Sequence, residues 1–210
     1  MSITFGADII HANIDHAPAG QLAGYTTGTP DIVWPAGSWA AHPGSVRIDQ
    51  DAAASDHTAD VLDVERGAAT IAEVPAWFAA TLASYQTGKR PGQRYPAVYL
   101  SQSNVTPLAN ALVSAGHQFT PRLWVADWSA SLSAAEGAVS TAAGPWPVIG
   151  YQYQSLQFYD LDVFSTQWLQ AVSHAPAAPL APWAVPVIAD LASALALVNK
   201  SVSAIRADAH

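Results

Sequence analysis

The chain has 210 residues, half of them apolar, with eight tryptophans, no cysteine and a formal net charge of −8. This composition predicts one folded domain with a sizeable core, and it excludes disulfide bonds, thiolate catalysis and cysteine-ligated metal centres. Eight basic residues against sixteen acidic ones leave no electrostatic footprint for nucleic acid. Neither a membrane-spanning run nor a signal segment is recognisable, so we expect no membrane partner.

Short apolar segments with strand character recur along the chain, and longer segments with helical character lie between them. The eight candidate strands are residues 3–10, 22–26, 45–48, 59–64, 97–100, 122–126, 148–153 and 161–164, and the three candidate helices are residues 71–87, 105–116 and 131–143. Alternating strands and helices favour a parallel sheet, and eight strands favour closure into a barrel. We therefore predict an α/β fold, an irregular TIM-like (β/α) barrel with trimmed crossovers, plus a C-terminal helix. Residues 154–160 are too few for a crossover helix, which allows an antiparallel pair there.

The composition changes beyond residue 174. We expect a barrel over residues 1–174, a stiff Pro/Ala linker over 175–186 and a helix over 187–210. Apolar residues from Ile188 to Ile205 follow a heptad spacing in that helix. The helix could pack back on the barrel, self-associate into a homo-oligomer, or dock on a partner.

Carboxylates stand where several candidate strands end. An apolar run ends in Asp63 and Glu65, whose i, i+2 spacing points both side chains to the same side of a strand. Asp8, Asp127 and Asp160 lie at the ends of other candidate strands. Because the carboxyl ends of barrel strands meet at one rim, these acids could form a ring. The plainer interpretation of Asp63 and Glu65 is a strand followed by a solvated turn.

Acids crowded in an aromatic cleft separate their pKa values, which leaves one protonated while another is ionised. We expect Asp63 and partial burial to raise the pKa of Glu65. Glycoside hydrolysis needs this division of labour, and aromatic rings suit sugars. The candidate platforms, most of whose tryptophans we expect in the core, are Trp34, Trp39, Trp124, Trp128, Tyr151 and Tyr153.

Other chemistries have less support. His11, Asp15 and His16 could bind a metal if they were helical, but the nearby Pro18 favours a turn. The cluster of Lys89, Arg90 and Arg94 is typical of a solvated loop. No nucleophile elbow, Walker loop or dinucleotide fingerprint occurs, so we expect neither a metal nor another cofactor.

Several segments resemble, in the same order, the signatures of glycoside hydrolase family 25, the lysozyme-like muramidases, in a divergent branch found in actinobacteria and their phages. The matching segments are Gly6-Ala7-Asp8, Leu62-Asp63-Val64-Glu65, the strands within residues 95–101 and 123–128, and residues 150–153 followed by 159–164. The resemblance covers roughly residues 3–173. It departs from the family pattern at Ile10, Asp162 and Tyr151, which replace a serine, an asparagine and a tryptophan.

The resemblance implies a retaining muramidase without a cofactor, in which Glu65 is the general acid. Asp8, Asp63 and Asp160 would orient the substrate or stabilise positive charge at the anomeric carbon. The residues expected to bind the glycan are Tyr99, Trp124, Asp127, Tyr151 and Gln152.

These observations favour a peptidoglycan-directed glycoside hydrolase whose partner is peptidoglycan or another cell-wall glycan. The alternative is a catalytically silent structural or adhesion module, such as a phage minor tail or virion protein that attaches through its C-terminal helix. A plain carbohydrate-binding protein is a third candidate. We expect the protein in a virion or in the host cytoplasm before release.

Overall fold

A computed structural model of the protein describes residues 2–86, 96–116, 121–140 and 147–172. Eight strands form a closed barrel in chain order. They are β1 (Ile3–Asp8), β2 (Gln21–Tyr25), β3 (Val46–Asp49), β4 (Val61–Val64), β5 (Ala97–Ser101), β6 (Arg122–Ala126), β7 (Val148–Ser155) and β8 (Asp160–Ser165). The predicted α/β barrel is thus confirmed, although β1 ends at Asp8 rather than at residue 10.

Seven of the strands are parallel and the last one is reversed. Each strand from β1 to β6 pairs in parallel with the strand that follows it. Strand β8 is antiparallel to both β7 and β1. The turn between β7 and β8 is closed by a hydrogen bond from the Leu156 N–H to the Tyr159 carbonyl at 2.9 Å. The short connection therefore forms a hairpin, and the start of β8 lies at the rim where the other strands end.

Helices fill only some of the crossovers. They are α1 (Ala36–Ala41), α2 (Val74–Gln86), α3 (Val105–Ser114), α4 (Leu132–Ser140) and α5 (Thr166–Val172). Short 3₁₀ helices cover His11–His16, Ile71–Glu73 and Gln102–Asn104. The crossovers after β1 and β3, all of whose residues are described, contain no α-helix, so they are the trimmed ones.

Helices α2, α3 and α4 coincide with the three predicted helical segments, whereas the short α1 and α5 were not predicted. The predictions for Lys89, Arg90 and Arg94, for the linker and for the heptad helix lie outside the described residues. Among the helices of the described residues, none combines the length and the apolar character needed to cross a bilayer.

The helices α2, α3 and α4 bury the outer face of the sheet. Apolar side chains such as Leu62, Leu100 and Val125 share one core with Trp77 of α2 and Leu108 of α3. Removing such large side chains from water is the main favourable term in folding. This outer core holds β4, β5 and β6 in place beneath the site.

Aromatic rings fill the inside of the barrel. Tyr99 contacts Trp124 edge to face at 5.3 Å, and Trp124 contacts Phe164 in the same way at 4.8 Å. Phe164 in turn stacks near Trp168 of α5 at 6.2 Å, where α5 closes the end of the barrel that holds the strand starts. A Cβ at Gly150 would approach the Trp124 ring within 2.9 Å, so this glycine makes room for the indole. The interior of the barrel is thus filled with apolar rings from α5 up to the polar side chains at the opposite end.

Candidate active site

Four of the predicted acids lie together at the rim where β1 and β4 end. Asp8 is the last residue of β1, Asp63 is in β4, and Glu65 directly follows β4. Asp160 is the first residue of β8, and the reversed direction of that strand brings it to the same rim. The barrel topology therefore places the four carboxyl groups around one opening.

Asp8 is the most extensively hydrogen-bonded of these acids. Its Oδ2 accepts from the Tyr25 hydroxyl and its Oδ1 from the Gln152 Nε2, each at 2.9 Å. Burial, followed by the charge of Asp160, raises the pKa of Asp8 to about 7 against the opposing effect of the two hydrogen bonds. Asp8 is therefore a fixed, buried carboxyl that holds its proton close to neutral pH.

Gln152 joins two of the acids through one amide group. Its Nε2 also lies 3.5 Å from Oδ2 of Asp160, and its Oε1 accepts from the Tyr99 hydroxyl at 2.5 Å. Burial, followed by the charge of Glu65, raises the pKa of Tyr99, so this phenol remains a donor. Because Tyr99 occupies the amide oxygen, the amide nitrogen of Gln152 must face Asp8 and Asp160.

A fifth carboxyl, that of Asp162, lies beneath the rim. It is fully buried, and it accepts from the Trp124 Nε1 at 2.9 Å and from the Asp8 N–H at 3.1 Å. Burial and then the neighbouring Asp8 raise the pKa of Asp162 well above its ordinary value. Trp124 was expected to contact the glycan, but its ring is completely buried. Its indole instead holds Asp162, which in turn fixes the backbone of Asp8.

Asp63 is buried with only one of its oxygens bonded. Its Oδ2 accepts from the Gln50 Nε2 at 3.2 Å, whereas its buried Oδ1 has no hydrogen-bond partner among the described residues. Burial, followed by the charge of Glu65, raises the pKa of Asp63 to about 8. Asp63 is therefore neutral over most of the physiological pH range.

Glu65 and Asp160 are the two acids of the set that reach solvent. Glu65 is exposed and Asp160 is half-buried. Partial loss of hydration, and then the charge of Asp160, raises the pKa of Glu65. The expected rise in the pKa of Glu65 and its expected cause in partial burial are therefore present, but the charge that contributes is that of Asp160 and not that of Asp63. Burial also raises the pKa of Asp160.

Asp127 and Tyr151 lie on the outer side of the barrel wall. The Tyr151 hydroxyl donates to Oδ2 of Asp127 at 3.1 Å, and the Ser129 hydroxyl donates to its Oδ1 at 2.6 Å. The hydrogen bonds from Ser129 lower the pKa of Asp127. Both residues line an outer cavity of about 520 Å³. The structure therefore does not bring these two side chains into the acid cluster.

The predicted aromatic platforms divide into core and surface rings. Trp34 is buried, donates from its Nε1 to the Ile9 carbonyl at 2.8 Å, and packs on Gly24, where a Cβ would come within 2.3 Å of the ring. Trp39 is covered by the guanidinium of Arg47 at 5.1 Å from the ring centre. Trp128, at 53% exposure, is the tryptophan of the described residues that presents a face to solvent.

Two cavities flank the acids. One of about 220 Å³ is lined by Asp8, Tyr25 and Asp160 together with residues 155–159 of the β7–β8 turn. The other, of about 390 Å³, lies among the loops that follow β2, β3 and β4 and includes Gln50. An extended ligand lying across the rim would therefore have room on both sides of the acids.

The segment from His11 to His16 is a 3₁₀ helix rather than the predicted turn. The ring of His16 stacks on Phe158 of the β7–β8 turn at 3.8 Å, so it supports the wall of the smaller cavity. No group of three or more potential metal ligands occurs among the described residues.

Three residues of this site were not predicted from the sequence: Tyr25, Gln50 and Asp162, the last of which positions Asp8. Tyr25 is the next-to-last residue of a predicted strand and Asp162 stands two residues after Asp160, so both carried a positional signal. Gln50 follows a strand as an ordinary polar residue, and nothing in the sequence distinguishes it.

Comparisons with known proteins concern the backbone alone. Neither a protein-family profile nor a curated protein sequence matches the chain. The chain is similar to the solved structure of the CTP1L endolysin, with a TM-score of 0.46 and 11% identity over 80% of this chain and 69% of that chain. It is also similar to an uncharacterized B. stearothermophilus protein, with a TM-score of 0.49 and 14% identity over 79% of this chain and 98% of that chain. At these identities the likeness is one of fold.

Proposed function

We propose that this protein is a peptidoglycan-directed glycoside hydrolase of the retaining muramidase type, in which Glu65 is the general acid. The observation that carries the proposal is the pairing of two solvent-reaching carboxyls, Glu65 and Asp160, above the buried carboxyls of Asp8 and Asp63. Glycosidases use two carboxyl groups whose environments keep one protonated and the other ionised.

Glu65 and Asp160, which we call the rim pair, are suited to keeping one carboxyl protonated and the other ionised. Because the charge of Asp160 raises the pKa of Glu65, Glu65 keeps its proton after Asp160 has lost its own. Glu65 would donate that proton to the glycosidic oxygen while the bond from this oxygen to the anomeric carbon breaks. The carboxylate of Asp160 would stabilise the positive charge left on the sugar. Water would then add its hydroxyl to the anomeric carbon and return a proton to Glu65.

The buried residues would act on the rim pair rather than on the glycan. Tyr99, Trp124 and Gln152 were expected to bind substrate, but all three are buried. Trp124 and Gln152 donate hydrogen bonds to the acids, and Tyr99 donates to the amide oxygen of Gln152. We assign them to positioning Asp8, Asp160 and Asp162. Direct contacts with a glycan would then be made by the residues that line the two flanking cavities and, further out, by Asp127 and Tyr151.

A catalytically silent wall-binding or virion module is the second candidate. It is favoured by the side chain of Glu65, which makes no hydrogen bond to any described residue, so nothing there orients its carboxyl. A general acid must reach hydrogen-bond distance of the bond it protonates, although such contacts often form only with substrate present.

Clearance of purified actinobacterial cell walls by the full chain tests the proposal. Wild type should lower the turbidity, Glu65→Gln should lose about 10²-fold or more of the rate, and Glu136→Gln on α4 should match wild type. New reducing ends on muramic acid residues would identify a muramidase. A wild-type protein that binds the walls but leaves the turbidity and the reducing ends unchanged would reject the enzyme in favour of the silent module.

A further inference from the structure

The cavity of about 390 Å³ beside β3 and β4, which we call the Gln50 cavity, has a lining that indicates its ligand. Its lining includes Gly28, Gln50, Asp51, Ala68, Ala69 and Glu73. None of these lining residues is basic, and Asp51 and Glu73 would repel an anion. Both carboxylates already accept hydrogen bonds, Asp51 from the N–H groups of two nearby alanines and Glu73 from Thr70. The lining therefore suits a neutral, hydroxyl-rich ligand.

Gln50 is held in place in the lining of this cavity. Its backbone N–H donates to Oγ1 of Thr27 at 2.8 Å. Its Oε1 lies 3.0 Å from the position that a Cβ on Gly28 would take, and the φ of +129° at Gly28 disfavours a side chain there. Its Nε2 points the other way and donates to Asp63. The side chain of Gln50 thus spans the distance from the cavity wall to the acid cluster.

Asp63 depends on this amide for its orientation. Gln50 provides the hydrogen bond that the side chain of Asp63 makes within the described residues, and the other oxygen of Asp63 is buried and unpaired. The titratable groups that face Asp63 are Glu65 beside it, Asp8 of β1 and the phenols Tyr25 and Tyr99 of β2 and β5. Each of these acids disfavours a charge on Asp63, whereas the amide of Gln50 favours it.

We propose that Gln50 is a positioning and specificity-determining residue, which contacts a saccharide unit seated in the Gln50 cavity and orients the carboxyl of Asp63. The inference rests on the proposed function, since it assigns one sugar subsite to that reaction. A sugar in the cavity would restrict the Gln50 side chain and strengthen its hydrogen bond to Asp63. A sugar bound in this cavity would in this way fix the orientation of the Asp63 carboxyl without contacting it.

The first experiment follows the titration of Asp63 by carbon-detected NMR in the full chain without any ligand. Gln50→Met keeps the length of the side chain but removes the donor, so the midpoint of Asp63 should rise by roughly one pH unit. The exposed Gln167 on α5 offers the matched control, and Gln167→Met should leave the midpoint unchanged. Gln50→Glu serves as a second variant of native size, which places a like charge beside Asp63 and should also raise the midpoint. An unchanged midpoint in both Gln50 variants would overturn the positioning role.

The second experiment uses the N-acetylglucosamine trisaccharide as a probe. Its addition should shift the side-chain amide resonances of Gln50 and the backbone amides of Ala68 and Ala69. In the turnover assay Gln50→Met should raise KM about tenfold and displace the pH profile, while Gln167→Met does neither. Shifts confined to the cavity beside Asp8, or an unchanged KM, would overturn the sugar contact. Since the NMR arms need no turnover, an inactive wild type would reject the proposed function while the titration still decides the role of Gln50.

Discussion

Replacing Asp63 by asparagine should stabilise the protein at neutral pH. Burial raises the pKa of Asp63 from 3.8 to about 8, so the native state keeps a proton that the unfolded chain releases. The folded protein is therefore favoured by this group below about pH 4, and that advantage is lost as the pH rises from 4 to 8. Asparagine has nearly the same shape and carries no charge at any of these pH values.

The size of the effect follows from the width of this pH window. Each pH unit within it corresponds to about 1.4 kcal/mol for one group. At pH 7 the retained proton of Asp63 thus opposes folding by up to about 4 kcal/mol. Water entry and small rearrangements of the site reduce this figure, so we expect a gain of ~2–4 kcal/mol in Asp63→Asn at pH 7. At pH 4 the protonation of Asp63 should contribute little to the difference in free energy of unfolding between the two proteins.

Urea unfolding, followed by tryptophan fluorescence at pH 4.5, 6 and 7.5, measures the difference directly. Asp127→Asn is the control of opposite sign, because hydrogen bonds from Ser129 lower the pKa of Asp127 and favour its charged form in the fold. The free energy of unfolding of Asp63→Asn should exceed that of wild type by an amount that grows with pH. A constant difference across the three pH values would refute the protonated, buried state that we assign to Asp63.

Two further substitutions test the rim and the floor of the barrel. Asp160→Asn removes the charge that raises the pKa of Glu65, so the basic limb of the activity–pH profile should move to lower pH. A basic limb that stays in place would contradict the electrostatic coupling of Glu65 to Asp160. Trp168→Ala removes the buried ring of α5 at the opposite end of the barrel. It should lower the free energy of unfolding by about 3–5 kcal/mol in the same urea assay. A loss below about 1 kcal/mol would show that α5 does not close the core.

Much of the fold was predictable from local patterns. Apolar runs of strand length alternate with helical segments, and residues 154–160 are too few to cross the barrel, which accounts for the reversed β8. The shared rim of Asp8, Asp63 and Asp160 also follows from the sequence, because each acid stands at an end of a strand. Parallel strands in one barrel bring the ends of β1 and β4 to one rim, and the reversed direction of β8 brings its first residue, Asp160, to the same rim.

The partners of each acid could not be derived in this way. The Tyr25 hydroxyl meets Asp8 across 17 positions of sequence and the Gln152 amide meets it across 144, through strand registers that arise only when the barrel closes. Trp124 shows the same limit, since β6 is buried on both faces and its pattern does not reveal which side chains point inward. Period-2 alternation sorts side chains into two sets. The closure and stagger of the barrel assign one set to the interior, where burial then sets the protonation of Asp8, Asp63 and Asp162.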